Sequence, residues 1–185
     1  NLIQRLLLNE KTIEDIIASV IKISKLKDPV DYVISKWSRP NGLIIKKVSI
    51  PIGVIGVIYE SRPNVTSDVS CLCFKAGNSV ILKGGSEAFY SNKIISKLFR
   101  QALQNNKIDK NYVQFIESKN REVVNFLLTG MRKYVDVIIP RGGKSLVKTV
   151  QKYSNIPVIG HLEGVCHTYL DKYAKLKMSQ KIVNN

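Results

Sequence analysis

The sequence predicts an α/β protein: a Rossmann-like, mostly parallel sheet with helices on both faces, preceded by N-terminal helices. Three observations carry this. The apolar run Ile52 to Tyr59 is unbroken and reads as a strand buried on both faces. A second apolar run, Ser79 to Leu82, follows after a helix-length segment and delivers Lys83 into Gly84-Gly85-Ser86-Glu87. Further strand-like runs then alternate with helical patterns to the end of the chain, the arrangement that parallel crossover units require.

Each element has its own signal. Between Leu2 and Lys25, Ile3, Leu6, Leu7, Ile13, Ile16, Ile17, Val20 and Ile21 recur at helical spacing and predict two amphipathic helices, the second capped by Asn9 or Thr12. Asn41-Gly42, followed by Leu43 to Ser49, predicts a hairpin and a partly exposed strand, with Trp37 as a packing residue. The core strand Ile52 to Tyr59 ends in a Ser-Arg-Pro-Asn turn that hands over to a helix carrying Cys71 and Cys73. After Glu87, a single apolar face runs through Ile94, Leu98 and Leu103. Strand Tyr112 to Ile116, a helix from Arg121 to Leu128 capped by Gly130, strand Val135 to Ile139 and a helix from Ser145 to Tyr153 complete the alternation. Ile156 to Ile159 and His167 to Asp171 are expected to be two more strands. The organisation expected is residues 1–49 as N-terminal helices and hairpin, and residues 50–185 as the α/β domain. Both termini read as starting and stopping within a longer pattern.

Composition narrows the class. At 185 residues and 44% hydrophobic, the chain can bury one sizeable core. Its longest uncharged apolar run falls far short of the roughly 20 residues of a membrane helix. Three cysteines do not make a disulfide framework, so a reducing compartment is expected, with the cytoplasm as the location. The net charge of +15 favours an anionic partner, but the lysines are scattered without a basic block or an interleaved aromatic motif. No specific nucleic-acid partner and no membrane partner are therefore expected.

The chemistry is expected where loops leave the carboxyl ends of parallel strands. Lys83 is a point charge for a ribose phosphate, the glycines after it admit a phosphate to the backbone, and Ser86 is placed to cap the next helix. Pro140-Arg-Gly142-Gly143-Lys repeats this logic before a second helix start, although neither a dinucleotide fingerprint nor a Walker loop is present. In Glu60-Ser-Arg-Pro-Asn, Arg62 is suited to a phosphate or carboxylate, while Asn64 is either an oxyanion donor or a helix cap. Cys71 and Cys73 cannot share a helix face and read as packing thiols; with two histidines in the chain, no metal set is expected. His161 and Glu163 lie in a link on the presumed site edge.

Four blocks, Pro51 to Thr66, Gly77 to Ala88, Asp136 to Val147 and Ile156 to His167, closely resemble the gamma-glutamyl phosphate reductase family of the aldehyde dehydrogenase superfamily. The resemblance runs from about Leu6 to Val183 and covers the middle of the family enzyme, mostly its NADP-binding domain. It implies NADPH-dependent reduction of L-glutamate 5-phosphate to glutamate 5-semialdehyde and phosphate, in proline biosynthesis, through a cysteine thiolate. It also implies that Lys83, Ser86 and Glu87 approach the adenosine ribose and any 2′-phosphate. The turn Pro140, Gly142 and Gly143 would border the pyrophosphate or nicotinamide, His161 to Glu163 the nicotinamide, and Asn64 the oxyanion. The family's nucleophilic cysteine matches none of Cys71, Cys73 and Cys166 and is expected to lie beyond Asn185. The partners expected are the small-molecule substrate and either a second copy or a chain carrying the missing half. The competing expectation is a noncatalytic nucleotide-binding or interaction remnant of that enzyme.

Overall fold

In a computed structural model that describes residues 6–162 and 166–184, four parallel strands form the central sheet: β3 (Val54–Tyr59), β4 (Ser79–Gly84), β5 (Val113–Phe115) and β6 (Val137–Arg141), in the order β5-β4-β3-β6. The strands β1 (Val33–Ser38) and β2 (Ile44–Val48) pair separately as an antiparallel hairpin. The helices are α1 (Glu10–Ser24), α2 (Pro63–Lys75), α3 (Phe89–Asn105), α4 (Glu122–Thr129), α5 (Lys144–Tyr153) and α6 (Leu176–Val183).

Side-chain alternation along each strand sorts the core into two layers. Ile55, Val57 and Tyr59 of β3, with Val80 and Leu82 of β4, pack with Cys73 of α2 and Leu103 of α3. Ile58 of β3 and Ile138 of β6 pack with Leu127 and Leu128 of α4 and Val150 of α5. Both faces of β3 are therefore covered, which is why its sequence is apolar throughout rather than alternating. By the same period of two, Lys83 follows Leu82 onto the α4–α5 face, in register with Ile58.

The carboxyl end of β3 is fixed by a buried polar relay. The Tyr59 hydroxyl lies 2.8 Å from Thr66 Oγ1 on α2, and that hydroxyl donates to Asn92 Oδ1 on α3 at 3.1 Å. Burial pushes the Tyr59 phenol up to about 12, so it stays neutral. Gly84 makes this possible, because a Cβ there would come within 2.3 Å of Asn92 Nδ2.

Several expectations are borne out. Asn9, not Thr12, caps α1, accepting from Thr12 N at 2.8 Å. Gly42 takes φ +84° in the hairpin turn, and Gly130 ends α4. The expected helix before α1 falls partly on residues 1–5, outside the described residues. Four expectations need correction. β3 starts at Val54, because Gly53 adopts φ +123° and Ile52 is exposed; both amides donate to Asn78 Oδ1 instead of to a strand. Ile156 to Ile159 provides a single parallel bridge, Ile138 to Val158, since Pro157 has no N–H to extend the ladder. His167 to Asp171 is not a strand: it pairs with no described sheet edge, and Tyr169 is almost fully exposed. Trp37 lies on a hairpin exposed on nearly every residue and is itself 43% exposed.

No described helix is long and apolar enough to cross a membrane. Gly53 faces Asp136, whose Oδ2 accepts from Val54 N at 2.8 Å and would lie 2.2 Å from an added Cβ. Gly53→Ala should cost more than about 1 kcal/mol in urea unfolding, because both the positive φ and the contact oppose it. Leu82→Ala, in the fully buried layer, should cost about 2–5 kcal/mol in the same measurement.

Candidate nucleotide-binding site

Because β3, β4, β5 and β6 are parallel, the loops after all four emerge at one edge. From β3 the chain moves outward through β4 to β5, then returns to place β6 on the other side of β3. The strand order therefore reverses between β3 and β6, and a crevice opens there. A cavity of about 250 Å³ occupies this crevice, lined by Glu60 and Arg62 after β3, by Arg141 at the end of β6 and by Gly142 and Gly143 after it. A second cavity of about 240 Å³ adjoins it beyond Glu60, which lines both. Its floor is Ile58 and Lys83, and Val124 of α4 and Leu146 of α5 are among its walls.

In the first cavity, Glu60 Oε1 accepts from the Gly143 amide at 2.8 Å. Gly143 is the cap residue of α5 and has no side chain to cap the helix, so a neighbouring carboxylate takes that role. Gly142 lets Glu60 lie close: a Cβ would come 2.6 Å from Glu60 Cδ and push that side chain aside. Arg62 occupies the cap position of α2, with Pro63 as the first helical residue, and contributes no side-chain cap.

In the second cavity, Lys83 is 7% exposed and donates to the Gly84 carbonyl at 2.9 Å. Burial lowers its pKa and the Glu87 carboxylate partly offsets this. Glu87 accepts from Ser61 Oγ at 2.6 Å and Ser86 Oγ at 3.1 Å. Its pKa is held low, chiefly by Ser61, then by its own backbone and Ser86, with a smaller contribution from Arg121. Gly85 carries no side chain because a Cβ would approach Glu87 Oε2 to 2.9 Å. The result is a fixed carboxylate beside a buried ammonium, in a groove with apolar walls.

Lys83, Ser86 and Glu87 thus share one groove, and Gly142, Gly143 and Arg62 share its neighbour. Other expected residues are placed differently. Pro140 lies within β6, opposite Ile58, because the strand continues to Arg141; it is buried against Gly160. Asn64 lies inside the first turn of α2, exposed, with its amide 3.4 Å from Asp68 Oδ2; it is not the cap and lines neither cavity. Ser86 does not cap α3, whose cap position is Ala88. His161 is exposed and lines neither cavity, and Glu163 lies outside the described residues. Sequence reading gave no role to Glu60, Ser61, Lys119, Arg121, Val124 or Leu146. Lys119 and Arg121 could have been found, since they belong to the loop after β5 on the same edge.

Neither helix thiol serves this edge. Burial pushes Cys73 up to about 11, and burial with the nearby Asp68 carboxylate does the same to Cys71. Cys166 is exposed and lines neither cavity. No group of three or more His, Cys, Asp or Glu among the described residues could hold a metal.

Comparison with known proteins gives a consistent picture. The chain is 50% identical over 184 residues to a gamma-glutamyl phosphate reductase from Moorella thermoacetica, covering all of the chain and 44% of that protein. It superposes on the crystal structure of a gamma-glutamyl phosphate reductase from Thermotoga maritima with a TM-score of 0.81 at 44% identity, over 85% of the chain and 38% of that protein. Propionaldehyde dehydrogenase from Rhodopseudomonas palustris shares the fold, with a TM-score of 0.61 at 22% identity, over 86% of the chain and 40% of the dehydrogenase. No protein-family model matches the sequence. The chain spans under half the length of the curated relatives it matches.

Lys83 supplies a direct test of this geometry. Its folded pKa lies below the unfolded value, so the unfolded chain holds the proton more tightly, and stability should rise with pH across the window between the two. Lys83→Met should flatten that rise in unfolding curves followed as the pH is raised towards 10.5. It should also weaken binding of any phosphorylated ligand by ~10-fold or more, the scale of a charge-assisted hydrogen bond.

Proposed function

From a chain that is, along its whole length, a relative of the gamma-glutamyl phosphate reductases and has the aldehyde dehydrogenase-type fold, we propose that these residues form the NADPH-binding part of such a reductase. The observation that carries the reading is the pair of adjoining cavities at the sheet edge, one built at the strand-order reversal and the other on a buried lysine.

The residues present fit a dinucleotide. Val124 and Leu146 are apolar walls for a purine ring, and Lys83 and Glu87 supply a donor and an acceptor for ribose oxygens. Gly142 and Gly143 open the backbone at the start of α5, where a pyrophosphate meets the positive end of the helix once Glu60 gives way. Arg62, on the facing wall, offers a guanidinium to a phosphate or to the substrate's carboxylate. When bound, NADPH would supply hydride to an acyl carbon, converting L-glutamate 5-phosphate to the semialdehyde with loss of phosphate.

This chain's own groups orient the carrier and exclude water from one side of it. Glu60 must release the Gly143 amide for a phosphate to take its place, because one N–H cannot serve both acceptors in full. Attack on the acyl phosphate requires a thiolate at the site; at neutral pH Cys71 and Cys73 remain thiols, and Cys166 lines neither cavity. In this reading the nucleophile comes from outside these 185 residues, whether from the same polypeptide or from a partner chain. The cytoplasm and proline biosynthesis complete the reading.

A second reading, a noncatalytic nucleotide-binding module, shares the grooves and differs only in having no such thiol to serve. Thermal unfolding separates binding from its absence: NADPH at 100 times its Kd should stabilise the chain by about 2.7 kcal/mol. No change in melting temperature at millimolar NADPH would overturn both readings. If binding is found, adding a chain that carries the thiol should restore glutamate 5-phosphate-dependent NADPH oxidation only under the first.

A further inference from the structure

We propose that Lys119 and Arg121, in the loop after β5, form a clamp for a phosphate monoester on the ribose and so make this site select a 2′-phosphorylated dinucleotide. The inference rests on the nucleotide-binding reading above and assigns its cofactor selectivity to two residues outside the Lys83-Gly-Gly-Ser-Glu turn.

The groove that holds Lys83 and Glu87 is closed on its far side by this loop. Asn120 lies between the two cations and is committed to the helix: its Oδ1 accepts from Glu122 N at 2.9 Å and its Nδ2 donates to Glu122 Oε2 at 3.0 Å. The flanking Lys119 and Arg121 line the groove. Lys119 is steadied from below, with its ammonium 4.5 Å from the ring centre of Tyr90 and 5.2 Å from that of Phe89. A ring face attracts the cation without taking up its N–H donors, so they remain available to an oxyanion. Arg121 carries a fork that matches two phosphate oxygens. Neither cation is in an ion pair with a described carboxylate.

Charge balance explains why a second pair is needed. Glu87 is a fixed carboxylate tied to Ser61 and Ser86, well suited to accept from a ribose hydroxyl and repulsive to a phosphate of about −1.5 to −2 charge. With Lys83 alone, a 2′-phosphate would meet one cation and one anion. Lys119 and Arg121 shift the balance to three cations against Glu87, while Glu60 is turned towards Gly143.

The test uses adenosine 2′,5′-bisphosphate and 5′-AMP, which differ only in the 2′-phosphate, titrated calorimetrically into the 185-residue chain at fixed low salt. The wild type should bind the bisphosphate at least 10-fold more tightly. Lys119→Ala/Arg121→Ala should remove that advantage and leave 5′-AMP within about twofold, and Arg121→Lys should restore part of it. Both side chains are exposed, so unchanged melting temperatures are expected to accompany the loss. Equal affinities in the wild type, or equal loss of both ligands in the double variant, would overturn the clamp while the groove reading stands. Failure of both nucleotides to bind the wild type would overturn the groove reading and the clamp with it.

Discussion

The structure depends on β3 pairing in parallel on both sides. Ile58 lies opposite Lys83 on β4 and opposite Pro140 on β6, so two loops that are 57 residues apart in sequence (83 and 140) leave the sheet at the same height. The two adjoining cavities exist because of this register. A shift of β4 by one residue would turn Lys83 to the α2–α3 face, against Val57, Cys73 and Leu103, and would expel Val80 and Leu82 from that layer. The pairing is itself fixed by burial on both faces. Val57 and Ile58 point to opposite layers and both are almost fully buried, so a register error would be opposed on each side of the sheet.

The small residues of α2 extend this constraint to the site. Thr66, Ser67, Ser70 and Cys73 all face inward and let the helix lie close to the sheet, so that Thr66 reaches the Tyr59 hydroxyl. The strand, the first turn of the next helix and the start of α3 are thereby linked through one polar relay. The loops that carry Glu60, Ser61 and Glu87 emerge from these linked ends, which is why their carboxylates and hydroxyls meet at hydrogen-bond distance across 26 residues. Site geometry is here a consequence of core packing rather than of the loops' own preferences.

What the sequence made legible follows the same division. The fold class, five of the helices and the four sheet strands rest on burial, and burial leaves a pattern: an unbroken apolar run for β3, a helical stripe for α3 and a Gly at the end of α4. The lysine-glycine turn was legible because a cation leaving a buried strand is unusual. Where pairing decides, pattern fails. His167 to Asp171 has a strand's composition but no edge to join, and Pro157 truncates a segment that otherwise reads as β. At the site, the cap reading of Asn64 fails because Pro63 begins the helix two residues earlier than a cap at Asn64 would allow. Glu60 had no sequence signal at all: its partner, the Gly143 amide, is backbone and 83 residues away.

The net charge of +15 describes the surface, not the recognition. If attraction of anions were the whole design, the edge loops would hold cations alone, yet two carboxylates sit among them. Glu60 takes the amide at the start of α5 and Glu87 is tied by two hydroxyls. Each carboxylate makes the site poorer for anions in general and leaves it favourable for a ligand that pairs hydroxyl with Glu87 and phosphate with lysine or backbone. A simple phosphate gains the cations but meets both carboxylates; a nucleoside gains Glu87 and the apolar walls but leaves the cations unmatched. Only a ligand carrying all three chemistries at ribose spacing satisfies every group together, and discrimination then arises from what competing ligands would leave unpaired.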